Sequence, residues 1–148
     1  MAYWRLFYHI VWATRGREAL LDEPAAGIVE RSIRATCRTW EAVVHAVSVM
    51  PDHGHLVVSI PPSIAVSTLI GRVKGASSHV LRHPPDGPGI EHFAWQAEYG
   101  VLSFGEKALP DVVAYVANQT ERHAGHRLWD NLERVADPSQ PTSGGFVG

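Results

Sequence analysis

Residues 43–50 and 53–60 form two runs of apolar and β-branched residues separated only by Pro51-Asp52, and Pro61-Pro62 stops the second run. Proline has no N–H to give to a sheet ladder, so each break marks where strand pairing has to end. A connection this short leaves the two runs to fold back on one another as antiparallel strands. The rest of the chain must be built around that hairpin.

Upstream, residues 3–14 (YWRLFYHIVWAT) are rich in aromatic and β-branched side chains and predict a first strand. After the ATRGRE loop, Leu21-Asp22-Glu23-Pro24 supplies a cap, an early acid and an early proline. A helix is expected from there to about residue 40, with Ile28, Ile33 and Cys37 facing inward. Downstream, Ser63 is the expected cap of a second helix over residues 64–82, weakened inside by Gly71 and Gly75. HPPDGPG (83–89) is a loop, and residues 93–104 (FAWQAEYGVLSF) predict one or two strands with a bulge at Gly100. A third helix is expected over residues 109–123. The order β-α-β-β-α-β-α predicts an α+β fold, ferredoxin-like or RRM-like, with an antiparallel sheet covered by helices on one face and a C-terminal helix bearing a tyrosine. Residues 1–136 are expected to form a single domain and residues 137–148 (DPSQPTSGGFVG) a disordered tail.

Bulk numbers set limits on function. A chain of 148 residues, 45% hydrophobic and 19% charged, can bury a real core and is not a disordered polymer. No stretch approaches the 18 or so apolar residues of a membrane span, and no signal peptide is apparent, so a cytoplasmic protein is expected. A single cysteine, Cys37, excludes an internal disulfide framework. The net charge of −2 does not announce a nucleic-acid binder, yet eleven of the 13 basic residues are arginine, the side chain best shaped for forked contacts with phosphate. Nine histidines point to metal or acid/base chemistry without locating it.

Two constellations carry chemistry. His53 and His55 stand at i and i+2 at the start of the third strand, so both imidazoles project from one face and can hold one metal ion from one side. A bare His-x-His is short, and two surface histidines fit it as well. On the last helix, Leu109, Val112, Val113, Val116 and Thr120 make an apolar stripe. Tyr115, Asn118, Gln119 and Arg122 fall outside that stripe, which offers a phenol and, one turn on, an amide together on a polar face. A partly buried tyrosine beside a solvated glutamine fits that pattern equally.

Taken in order along the chain, FYHIVWATRGRE, MPDHGHLVV, VKGASSHVLR, AWQAEYGVLSF and YVANQTERH resemble five motifs of one family. It is the HUH transposases with a single catalytic tyrosine, encoded by small insertion sequences that move as single-stranded DNA. The resemblance runs from about residue 3 to residue 127. Transposase-like relatives associated with repeated palindromes usually carry Asn-Pro after the tyrosine; here the pair is Asn118-Gln119, closer to the insertion-sequence branch. Gly54 departs from the family, which usually has a bulky apolar residue between the two histidines. A glycine there weakens the strand by up to about 1 kcal/mol and leaves both ligands in place.

The resemblance implies a function. Tyr115 would attack a DNA phosphorus, giving a 5′-phosphotyrosine link and a free 3′-hydroxyl, which reverses the attack to rejoin strands. His53, His55 and Gln119 would hold the catalytic Mg²⁺, with Mn²⁺ as a substitute. Single-stranded hairpin DNA is the implied partner, together with a homodimer in which one subunit's tyrosine helix completes the other's site; Gly105-Glu106-Lys107 is the candidate hinge. For DNA contacts the residue types favour Arg15, Arg17, Arg72, Lys74, Ser77, Ser78 and Arg82, then Trp95 and Gln96, each of them equally at home on a solvated surface. Two other classes stay open. A domesticated, non-catalytic hairpin-binding regulator would not need Tyr115, His53, His55 and Gln119 together. A metal-dependent hydrolase would need a carboxylate near the metal, and Asp52, the one acid close in sequence, reads better as a turn residue.

Overall fold

The computed structural model describes residues 3–119 of the chain. Strands β1 (Phe7–Ala13), β2 (Val43–Val49), β3 (His53–Ser59) and β4 (Gly100–Phe104) form one antiparallel sheet in the order β2-β3-β1-β4. Helices α1 (Glu23–Thr39) and α2 (Val66–Arg82) connect β1 to β2 and β3 to β4, and α3 (Leu109–Ala117) follows β4. The fold is the α+β, ferredoxin-like arrangement expected. Among the described residues no helix is long and apolar enough to cross a membrane.

The period-two alternation of the strands divides the sheet into two faces. Ile10 and Trp12 of β1 and Leu56 and Val58 of β3 point to one side, where they meet Val29, Ile33 and Cys37 of α1 and Leu69, Ile70 and Val73 of α2. Helix α1 begins as its sequence dictates: the Asp22 carboxylate accepts the backbone N–H of Ala25 at 3.0 Å, and Pro24 occupies the first turn, where no donor is missed. On the other face Val57 of β3 and Ala46 of β2 meet Val112, Tyr115 and Val116 of α3. A nine-residue helix is too short to persist alone, so α3 is held by this packing, each large buried side chain contributing about 1.5–3 kcal/mol.

Several boundaries differ from expectation for local reasons. The second helix starts at Val66, with Ala65 rather than Ser63 at its cap, because Ile64 N–H bonds to Pro61 O at 3.0 Å and draws the intervening residues into a turn. Of residues 93–104, only Gly100–Phe104 is a strand; Trp95 makes an isolated bridge to Thr14. Gly100 pairs in regular register with Val11, and the register shift falls between Val44 and Ala46 instead. The third helix ends at Ala117, and the residues expected to extend it beyond 119, like the expected tail, lie outside the described residues.

Candidate active site

His53 and His55 project from the α3 side of β3, as the strand period requires, with ring centroids 5.0 Å apart. Tyr115 of α3 packs edge-on to His55, the ring centroids 6.2 Å apart. Gln119, one turn beyond, donates through its amide nitrogen in a long contact (3.5 Å) to the carbonyl of Tyr115. Residues separated by sixty positions in sequence therefore converge within one chain.

The helix meets the sheet through a different stripe from the one its apolar residues suggest. Val112, Tyr115, Val116 and Gln119 are the buried set, with Tyr115 only 7% and Gln119 only 5% exposed. The i, i+3, i+4, i+7 spacing holds, but it includes the phenol and the amide and leaves Val113 at the margin. Of the expected polar face, Tyr115 and Gln119 are thus buried and Asn118 is exposed, while Arg122, like Thr120 of the expected apolar stripe, lies outside the described residues. An aromatic ring on this face gains from packing on the sheet and at the same time aims its hydroxyl-bearing body toward the imidazoles.

Two neighbours that sequence reasoning did not place complete the cluster. The Asp52 carboxylate accepts a hydrogen bond from His53 Nδ1 at 2.6 Å and pairs with the Arg17 guanidinium at 3.2 Å. The His53 hydrogen bond is the chief reason the Asp52 carboxyl is held below its ordinary range, helped by the His53 and Arg17 charges and opposed by burial. Asp52 also shapes the turn as expected, its carbonyl accepting from the backbone and hydroxyl of Thr14. The second neighbour is His9, fully buried on β1, whose Nε2 lies 3.0 Å from His55 Nδ1. Burial above all, and then the charge of His55, pulls the His9 imidazole down to about 3. Sequence offered a hint of Asp52, adjacent to a ligand candidate, but none of His9, which reaches the site through strand register alone.

The family resemblance implies a divalent ion at this place, and His53 has an atom open to one. With Nδ1 occupied by Asp52, His53 presents Nε2 as its free lone pair, and that buried atom has no hydrogen-bond partner among the described residues. Among those residues, no group of three or more His, Cys, Asp or Glu side chains is placed to hold a metal. The third donor that the family resemblance implies is the carboxamide of Gln119, which stands one turn beyond Tyr115 with its amide nitrogen 3.5 Å from the Tyr115 carbonyl.

Most of the expected DNA contacts are placed otherwise. Ser77 is fully buried, accepting from Trp95 Nε1 at 2.9 Å and donating to Val73 O at 2.7 Å, while Trp95 packs edge-on to Trp12 and Phe93. The Lys74 ammonium donates to the carbonyls of Gln96, Ala97 and Glu98 at 2.9, 3.3 and 2.8 Å, and burial draws it down to about 8. Gln96 is itself buried, its backbone N–H bonded to Ala13 O. Ser77, Lys74, Trp95 and Gln96 thus fasten residues 93–98 to α2 and the sheet, with Ser77, Trp95 and Gln96 buried and Lys74 half-buried. Arg82 joins them through a 3.3 Å bond to Phe93 O, and Ser78 bonds back to Gly75 O. Arg72 lies exposed over Trp40, Arg17 is committed to Asp52, and Arg15 is exposed on the loop beside the His53 end of the sheet.

Known proteins resemble this chain in sequence and fold. The sequence profile of the IS200-like transposases matches residues 2–119. The ISDra2 transposase TnpA of Deinococcus radiodurans is 25% identical over 126 residues, covering 80% of this chain and 87% of that protein. The transposase for insertion sequence element IS200 of Salmonella typhimurium is 31% identical over 78 residues, 53% of this chain and about half (51%) of the relative. Among solved structures, a protein assigned as a transposase from Deinococcus radiodurans R1 superposes with a TM-score of 0.60 at 26% identity, over 80% of this chain and 95% of that one. A REP-associated tyrosine transposase bound to a REP hairpin shares the fold, with a TM-score of 0.63 at 17% identity, over 85% of this chain and 76% of that one. With the profile spanning every described element from β1 through the tyrosine helix, the chain belongs to the IS200-like transposase family.

Proposed function

We propose that this transposase cuts and rejoins single-stranded DNA by direct attack of Tyr115 on a backbone phosphorus, at a phosphate held by a divalent ion between His53, His55 and Gln119. The observation that carries this reading is the approach of the Tyr115 ring to that of His55, 6.2 Å apart in one chain, with the His53 ring 5.0 Å from that of His55. A bound divalent ion would draw charge from phosphorus and stabilise the charge that builds on the phosphate oxygens. The Tyr115 oxygen forms the new bond to phosphorus and loses its proton, and the bond to the 3′-oxygen breaks to leave a 3′-hydroxyl. That hydroxyl, from the same or another strand, reverses the step, and the covalent link conserves the bond energy throughout. Imidazole donors favour Mn²⁺ over Mg²⁺ on softness, although either can serve.

Tyr115 is 7% exposed, and a shift of α3 from the sheet would open the phenol to a nucleotide. Gly105, Glu106 and Lys107 are exposed and precede α3 directly, where they can absorb such a shift, and Glu106 pairs with Arg5 across the start of β1. Arg15, exposed near the His53 end, is the best placed cation for the incoming phosphate chain.

The test is incubation with Mg²⁺ or Mn²⁺ and a single-stranded hairpin from the genomic flanks, scored for a protein–DNA adduct that survives denaturation. The wild type should form it, and Tyr115→Phe should bind the hairpin without forming it. Cleavage by Tyr115→Phe would indicate a water nucleophile, and binding without cleavage in the wild type would indicate a regulator on the same fold.

A further inference from the structure

We infer that His9 is a positioning residue for the site, holding His55 in the tautomer that turns Nε2 toward the ion; the inference rests on the reading of His53 and His55 as ligands. His9 stands on β1 opposite Val57, and His55 stands on β3 opposite Val11, so the two imidazoles are diagonal neighbours across the strand pair on one face. Their nitrogens meet at 3.0 Å through His9 Nε2 and His55 Nδ1, and the rings stack with centroids 5.2 Å apart.

A neutral imidazole carries one N–H and one lone pair, and its partner at one nitrogen decides which role the other takes. An imidazole that offers Nε2 to a metal must keep its proton on Nδ1, and that N–H needs an acceptor. Asp52 supplies the acceptor for His53, at 2.6 Å. His9 Nε2 stands in the corresponding place for His55. The two ligand candidates are therefore oriented by different chemistries, a carboxylate on the solvent side and an imidazole in the sheet interior.

The surroundings favour this role over two alternatives. His9 touches His55 at Nδ1, the side away from Nε2, and among the described residues no three-ligand His, Cys, Asp or Glu set exists for it to complete. It also stands fully buried in a central strand beneath Tyr115, with ring centroids 6.1 Å apart, where an aliphatic side chain would fill space without desolvating an imidazole.

Two measurements decide the matter. Long-range nitrogen–proton correlation spectra of the metal-free wild type at pH 8 should show His55 protonated at Nδ1. Mn²⁺ affinity, read from the signal of free Mn²⁺ in paramagnetic resonance, should fall about 10- to 100-fold in His9→Leu, the range usual for losing a partner of a metal ligand. His9→Gln, whose amide oxygen reaches about where Nε2 stood, should stay within a few-fold of wild type. His55 protonated at Nε2 in the wild type, or wild-type affinity in a folded His9→Leu, overturns the inference. If the wild type binds no Mn²⁺, the ligand reading falls and the role toward the ion falls with it; the His55 tautomer then shows separately whether the His9–His55 bond is real. Should His9→Leu fail to fold, weak binding by a folded His9→Gln overturns the inference, and near-wild-type binding with Nδ1 protonation supports it.

Discussion

The indole of Trp12 lies against Gly54, its Cζ2, Cε2 and Cη2 atoms 3.3, 3.5 and 3.6 Å from where a Cβ would stand. The two residues are direct cross-strand partners, so the position between the paired histidines is small because its neighbour on β1 is large. Gly54→Val should cost about 1–3 kcal/mol by overpacking, despite the better strand propensity of valine. Adding Trp12→Leu should recover part of that loss, giving a coupling of at least about 0.5 kcal/mol in urea denaturation. Additive single effects would show that the indole does not set the size of this position.

Asp52 is expected to act on metal affinity through His53. Asp52→Ala removes the acceptor of the His53 ring N–H and frees Arg17, and Mn²⁺ binding should weaken about 10- to 100-fold. Asp52→Asn keeps an oxygen in place and should lose only a few-fold. Calorimetric titration of folded variants checks both, and an alanine variant with wild-type affinity would mean that His53 needs no partner.

Lys74 and Arg15 should separate in their salt dependence. The three carbonyls around the Lys74 ammonium make it a fastener of residues 96–98, so Lys74→Met should cost about 1–3 kcal/mol of stability while leaving the salt slope of DNA binding unchanged. Arg15→Ala should leave stability nearly intact and lower the slope by about 1, as loss of one phosphate contact does. Fluorescence anisotropy across a salt series measures both.

Cys37 gives a pH signature that does not involve the site. Burial, partly offset by the Arg34 charge, raises its thiol from 9.0 to about 11. The folded chain then holds a proton that the unfolded chain gives up, so this group stabilises fully below pH 9 and its contribution is lost as pH rises toward 11. The stability difference between wild type and Cys37→Ala should shift in that direction over this window. Equal slopes for the two proteins would place the thiol in water.

How far the sequence could be read depended on the range of the interactions. The hairpin of β2 and β3, the Asp22 cap and the same-face placement of His53 and His55 are settled within a few residues, and all were legible. Tyr115 was legible as a chemical group but not as a buried one, because a stripe drawn from aliphatic residues alone ignores the apolar body of a phenol. Ser77 and Trp95, eighteen positions apart, read as surface DNA contacts because nothing local reveals that they bond to each other. His9 was out of reach for the same reason: its partner lies 46 positions away, and only the β1–β3 register brings them together.

The most direct test of the whole account asks whether an ion bound by the histidines sits beside the tyrosine of the same chain. Mn²⁺ titrated into protein carrying isotope-labelled tyrosine should broaden the Tyr115 ring signals before those of exposed Tyr3, and His53→Ala with His55→Ala should abolish that selectivity. Tyr115 signals that stay sharp while Mn²⁺ binds, or that broaden equally without the two imidazoles, would contradict it.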